Sequence, residues 1–177
     1  MNIKSIGNEN VGVGASLSIH EFARWKPQWR IEKYNGEESN PDNLYETQDF
    51  DGNLLLNEGI TQLLNLLVGA AGTNYSNANA RIGVGDSATA ATPTQTGLIA
   101  ASNRFWRPMD ATFPQVSGQI VSFRSTFGSA EANFAWNEFT IVNTADDTGQ
   151  NLCRRVQAMG VKASGTTWVV TVSITIS

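Results

Sequence analysis

The 177-residue chain holds a single cysteine and a single histidine. Cys153 alone can form no internal disulfide, so no disulfide framework is expected. Zinc sites draw on several cysteine and histidine ligands, so none is expected here. A Ser-His-Asp triad would have to use His20, and no Gly-x-Ser-x-Gly elbow marks a nucleophile. Charge is scarce too, at 16% of residues against about 25% in ordinary soluble proteins. Twelve basic and sixteen acidic residues leave a net charge of −4. The basic groups Arg24, Lys26 and Arg30, then Arg104 and Arg107, then Arg154 and Arg155 are short and interleaved with other types. They make no basic patch, so nucleic-acid binding by charge is not expected. The longest apolar stretch, residues 63–71, contains Asn65 and is too short to span a bilayer. No basic segment precedes an apolar run at the N-terminus, so neither a signal peptide nor a membrane contact is expected.

The remaining chemical candidates are weak. Gly83-Val84-Gly85-Asp86-Ser87 resembles a phosphate loop but lacks the Gly-Lys-Ser/Thr ending. A turn leaving a strand explains it better. Asp146 and Asp147 are adjacent acids in a turn, a setting that usually leaves them solvated rather than binding calcium. Glu131 and Glu138 are paired carboxylates only in the loose sense that spacing does not forbid it. Cys153 sits beside two arginines able to lower a thiol pKa, yet a half-buried strand cysteine is the simpler reading. The expectation is a chain with no catalytic residues, no cofactor and no metal.

Residues 1–24 set small apolar residues among Gly and Asn with no helical period, and read as an extended arm. Residues 25–177 read as one domain, a size able to bury roughly 70% of the surface its unfolded chain exposes. After a break at Pro27, Trp29, Ile31 and Lys33 share one strand face and Arg30, Glu32 and Tyr34 the other. Residues 44–50 suggest a second strand. Residues 57–68 are the single convincing helix: Asn57 can cap it, Glu58 suits its first turn, and Gly69 can stop it. Ile60, Leu63, Leu64 and Leu67 recur at helical spacing as an apolar stripe. Strand signals then return at residues 80–85, 103–113, 119–127, 133–142 and 152–159, with a loop at 86–97 and a turn at 143–150. The last strand is the clearest. Trp168, Val170, Val172, Ile174 and Ile176 alternate with Thr167, Val169, Thr171, Ser173 and Thr175.

Many short strands with regular turn signals and one short α-helix imply a mainly β protein. The expected form is an antiparallel two-sheet β-sandwich, jelly-roll-like, with an extended N-terminal arm. Trp136 and Trp168 belong to apolar faces and read as core. Trp25, Trp29 and Trp106 lie near charges and read as partner-binding residues, since aromatics are enriched at interfaces. In the arm, Ile3, Ile6, Val11, Val13 and Leu17 are expected to lie along a neighbouring chain, with strand addition as one route.

Several stretches carry a resemblance. They are Trp29-Arg30-Ile31-Glu32-Lys33-Tyr34, residues 53–64 from Asn53-Leu54-Leu55-Leu56-Asn57-Glu58-Gly59, and Ala80-Arg81-Ile82-Gly83-Val84-Gly85-Asp86-Ser87 with Gln95-Thr96-Gly97-Leu98. Further on come Val121-Ser122-Phe123-Arg124-Ser125-Thr126-Phe127, Glu131-Ala132-Asn133 and Trp136-Asn137-Glu138-Phe139. Together they resemble small virion structural proteins of tailed bacteriophages, and a similar order occurs in some phage tail-fibre attachment domains. The resemblance covers roughly residues 29–176 and implies no catalytic residues. It implies a non-enzymatic virion protein, assembled in the host cytoplasm. The first expectation is a capsid decoration or cement protein that binds the major capsid protein or other virion proteins as a homo-oligomer, a trimer being one option. The alternative is a tail or tail-fibre component, such as a receptor- or glycan-binding module; the lack of a shaft after the last strand weighs against it.

Overall fold

A computed structural model describes residues 24–177. Ten strands and one helix follow in order: β1 (Trp25–Asn35), β2 (Leu44–Asp51), β3 (Leu54–Leu55), α1 (Asn57–Leu67), β4 (Arg81–Gly85), β5 (Arg104–Pro108), β6 (Gln115–Ser117), β7 (Ile120–Phe127), β8 (Ala135–Val142), β9 (Asn151–Val161) and β10 (Thr166–Ile176). They build two five-stranded sheets, ordered β2-β1-β10-β7-β6 and β3-β9-β8-β4-β5. Every pairing is antiparallel. We call them the first and second sheet. The expected mainly β architecture with one helix is what the chain forms.

Alternation explains the core. In β10, Trp168, Val170, Val172 and Ile174 point inward and are buried, because side chains on a strand alternate between faces. β1 pairs with β10 over its whole length, Trp25 against Ile176 through Asn35 against Thr166. That register sets Trp29 beside Val172 and Ile31 beside Val170. The second sheet answers with Ile82, Val84, Phe139, Ile141, Cys153 and Met159 in the same cluster. Aromatic rings bridge the layers: Trp136 meets Trp168 edge-on at 4.8 Å and Phe127 at 4.7 Å between centroids.

Several details differ from the sequence reading. β1 runs through Pro27 rather than starting after it. The Pro27 carbonyl accepts from the Gly52 N–H at 2.9 Å, so its own nitrogen faces the same way, past the end of β2, where no donor is required. Arg24 exchanges two backbone hydrogen bonds with Ser177 and continues the sheet. Trp29 is not a surface residue. It is 1% exposed, stacks on Phe50 at 5.9 Å and tilts against Phe139 at 5.5 Å. Its place on the inward face, two residues before Ile31, decides this over its charged sequence neighbours. Asn57 does not cap α1. The N-cap is Leu56, with no side-chain cap bond, and the Asn57 N–H donates to the Pro93 carbonyl at 2.9 Å. Gly69 does end the helix, at φ +70°, a conformation glycine adopts without steric cost.

Candidate docking surface

The outward faces of the two sheets differ. The first sheet's outer face shows Gln28, Arg30, Asp49, Asp51, Thr171 and Ser173 around an open groove of about 570 Å³. The second sheet's outer face is covered by residues 86–103 and by α1. Beneath this cover lie Glu138, Thr140, Asn151 and Arg154, all fully buried.

Burying such groups requires that each be bonded. Arg154 Nε donates to Glu138 Oε2 at 2.8 Å, and Arg154 Nη2 lies 2.6 Å from the same oxygen. Both side chains are 0% exposed. The rest of their bonding capacity goes to the covering loop. Glu138 accepts from the backbone N–H of Ile99 at 2.9 Å and of Ala100 at 2.7 Å. Arg154 Nη1 donates to the Thr89 carbonyl and to Gln95 Oε1. Asp147 takes the Leu98 N–H at 3.1 Å and the Trp106 Nε1–H at 3.2 Å. Three successive backbone donors, at residues 98–100, therefore end on two carboxylates. Burial pushes the Asp147 carboxyl up to about 6, against the bonds from Leu98 and Trp106 that favour its charged form.

The helix is seated on the same face by small and polar residues. Gly59 lies against β9: a methyl group there would meet the Leu152 carbonyl oxygen, and the Leu152 Cα at 2.6 Å. Gln62 is buried and donates to the Thr73 carbonyl at 2.9 Å. Glu58 Oε1 accepts from the Asn151 N–H at 2.6 Å. Leu63 packs against the core. The rest of the apolar stripe points away from the protein. Ile60 is 40% exposed, Leu64 57%, Leu67 80% and Val68 76%. Positions i, i+4, i+7 and i+8 lie along one helix face, so these four form a continuous ridge. An exposed contiguous apolar patch of this kind marks an interaction surface in folded proteins.

The residues singled out in the sequence are not brought together. Trp25 is half-buried and donates Nε1–H to Asn53 Oδ1 at 2.8 Å. Trp106 is half-buried on the second sheet, beneath Arg104 at 5.4 Å and bonded to Asp147. Trp29 is core. Ile3, Ile6, Val11, Val13, Leu17 and His20 lie outside the described residues. Cys153 faces inward, and burial pushes its thiol up to about 12, so the neighbouring arginines do not activate it. Glu131 is held by Arg107 Nη1 at 2.6 Å and by the Gly128 N–H at 2.8 Å. Glu138 is held by Arg154. Hydrogen bonding from the Thr148 side chain, and then from its N–H, keeps the Asp146 carboxyl below the usual range. Among the described residues no group of three His, Cys, Asp or Glu side chains is placed to hold a metal ion. No described helix is long and apolar enough to cross a membrane. The ridge could have been found from its spacing. What the sequence hid was its direction, because the seated side of α1 carries Gly59 and Gln62.

No protein-family model, curated protein or solved structure matches this chain.

Proposed function

We propose that this chain is a non-enzymatic structural module that works by binding other protein chains, in the setting of a phage capsid decoration or cement protein. The observation that carries protein binding is the α1 ridge. The fold anchors the helix through Glu58, Gly59, Gln62 and Leu63, and leaves Ile60, Leu64, Leu67 and Val68 to solvent. Covering them removes apolar area from water at about 25 cal/mol per Å². The capsid setting rests on the sequence resemblance. The partners in this reading are the major capsid protein and further copies of this chain, and no cofactor takes part.

Reconstitution tests the reading. Purified chain added to phage particles assembled without it is expected to bind them to saturation. A Leu64→Glu, Leu67→Lys double variant leaves the seated side of α1 intact, and is expected to bind roughly tenfold or more weakly. Equal binding by the variant would remove the ridge as the docking surface, and failure of the wild-type chain to bind would remove the capsid setting. A tail or fibre component with a glycan-binding surface is the second reading. The polar groove over Gln28, Arg30, Asp49, Asp51, Thr171 and Ser173 favours it.

A further inference from the structure

Two lysines, Lys33 and Lys162, are buried among the described residues, and the fold treats them differently. Lys33 Nζ lies 2.9 Å from Glu46 Oε2 and forms an ion pair. Lys162 forms no ion pair with any described residue. Its Nζ donates to two neutral oxygens instead, the Gly128 carbonyl at 2.8 Å and Asn133 Oδ1 at 3.0 Å. A buried ammonium without a carboxylate is costly, so such a site favours the neutral, nucleophilic amine. Burial pushes the Lys162 amine down to about 8, against the pull of Glu131. Glu131 is itself taken by Arg107 Nη1 and the Gly128 N–H.

The backbone holds the amine beside the carboxamide. β8 and β9 pair Ala135 with Val161. The Lys162 N–H then donates to the Phe134 carbonyl at 3.0 Å, so the two chains stay side by side one step further, where Asn133 and Lys162 meet. Asn133 Nδ2 donates to the Ser129 carbonyl at 3.1 Å, which turns the carboxamide oxygen toward the amine. Cγ is the atom bonded to that oxygen, and a small rotation of the carboxamide presents it to Nζ. Holding a nucleophile against its carbonyl in this way replaces a bimolecular encounter with an intramolecular one. Asn133 is exposed, so a small leaving group reaches water.

We propose that Lys162 and Asn133 join in an isopeptide bond within the folded chain. The Nζ lone pair adds to Cγ, so that the Nζ–Cγ bond forms and the Cγ–Nδ2 bond breaks. One proton of the amine passes to Nδ2, which leaves as ammonia. The amine supplies both the electron pair and the proton, so no oxidant, reductant or water is consumed. The new bond closes a covalent ring through residues 133–162 and ties the start of β8 to the end of β9. Such a ring limits how far the two strands can separate when the chain is pulled or unfolded. The proposal is independent of the reading of α1 as a docking surface.

The test is intact mass spectrometry of the full folded chain, followed by a tryptic map. Wild-type chain is expected to fall below the mass its sequence gives by one ammonia. Trypsin does not cut after an acylated lysine, so residues 125–154 and 156–177 are expected together in one branched peptide. Asn133→Ala removes an exposed side chain, and Lys162→Arg keeps the positive charge. Each variant is expected to keep its full sequence mass and to give no branched peptide. Circular dichroism checks that Asn133→Ala retains the fold, and the wild-type mass decides the matter even where a variant does not. Wild-type chain that keeps its full sequence mass after folding and prolonged incubation would overturn the proposal. So would a loss of ammonia that persists in Asn133→Ala, or one that maps to a cyclic imide at Asn35-Gly36.

Discussion

The two outer faces of this sandwich handle polar groups in opposite ways. On the first sheet, Arg30 and Asp49 form a two-bonded ion pair at 2.8 and 3.1 Å in full contact with water, with side chains 57% and 59% exposed. On the second, Glu138 and Arg154 form a pair that water does not reach. The exposed pair ties down two side chains. The buried pair ties down a loop, because each partner has bonds left over that only the backbone and side chains of residues 86–103 can take. A loop that covers a sheet face needs partners for its own N–H and C=O groups. Here the carboxylates of Glu138 and Asp147 take the N–H groups of residues 98–100, and Arg154 and Asn151 donate to the carbonyls of Thr89 and Thr96.

The difference is sharpest under mutation. Glu138→Ala leaves the Arg154 guanidinium buried without its carboxylate and frees the N–H groups of Ile99 and Ala100. We expect a loss of about 3–5 kcal/mol, read as the urea midpoint, with the largest exchange increase in residues 95–100. Replacing both partners, Glu138→Leu with Arg154→Met, is expected to cost less than the single change. A double variant as unstable as the sum of its singles would show that the loop needs those specific bonds.

Next in size is the helix seat. Gly59→Ala improves helix propensity by about 1 kcal/mol, but its methyl would enter the backbone of Leu152. The net expectation is a loss of about 1–3 kcal/mol by thermal or urea unfolding. A stabilised variant would mean that α1 is not pressed on β9.

Asp147 gives a smaller, pH-dependent effect. Burial raises its folded carboxyl to about 6, above the ordinary value of 3.8. The folded state therefore binds this proton more tightly than the unfolded chain. The group's contribution to stability rises as pH falls from about 6 towards 4, and is absent above that window. Arg104 at 3.8 Å lowers and Glu138 raises this titration. Asp147→Asn is expected to flatten that part of the stability–pH curve, measured as urea midpoints at pH 7.5 and pH 5. An unchanged slope would place the titration elsewhere. Smallest of all is Arg30→Ala, for which no resolvable shift in midpoint is expected at physiological salt.

The same contrast shows what the sequence made legible. The strands of the first sheet alternate openly, as in Trp168 to Ile176, because one of their faces is wet. β8 reads as Trp136-Asn137-Glu138-Phe139-Thr140-Ile141, and its polar positions look solvent-facing although Glu138 and Thr140 are fully buried. Nothing local announces that Arg154, sixteen residues away, will meet Glu138. β3 and β6, two and three residues long, fall below any periodicity. Trp29 shares a strand face with Ile31, which was the signal for its place in the core, and it outweighs the neighbouring charges. The stripe on α1 was visible as spacing. Its outward direction followed from Gly59, whose missing side chain lets the helix approach β9 on that side.

The proposed lattice-binding role is tested most directly by copy number. Quantitative mass spectrometry of purified particles would compare this chain with the major capsid protein. A ratio near one to one, or a simple fraction of it, is expected. A few copies per particle would contradict it and move the protein to the tail or a vertex.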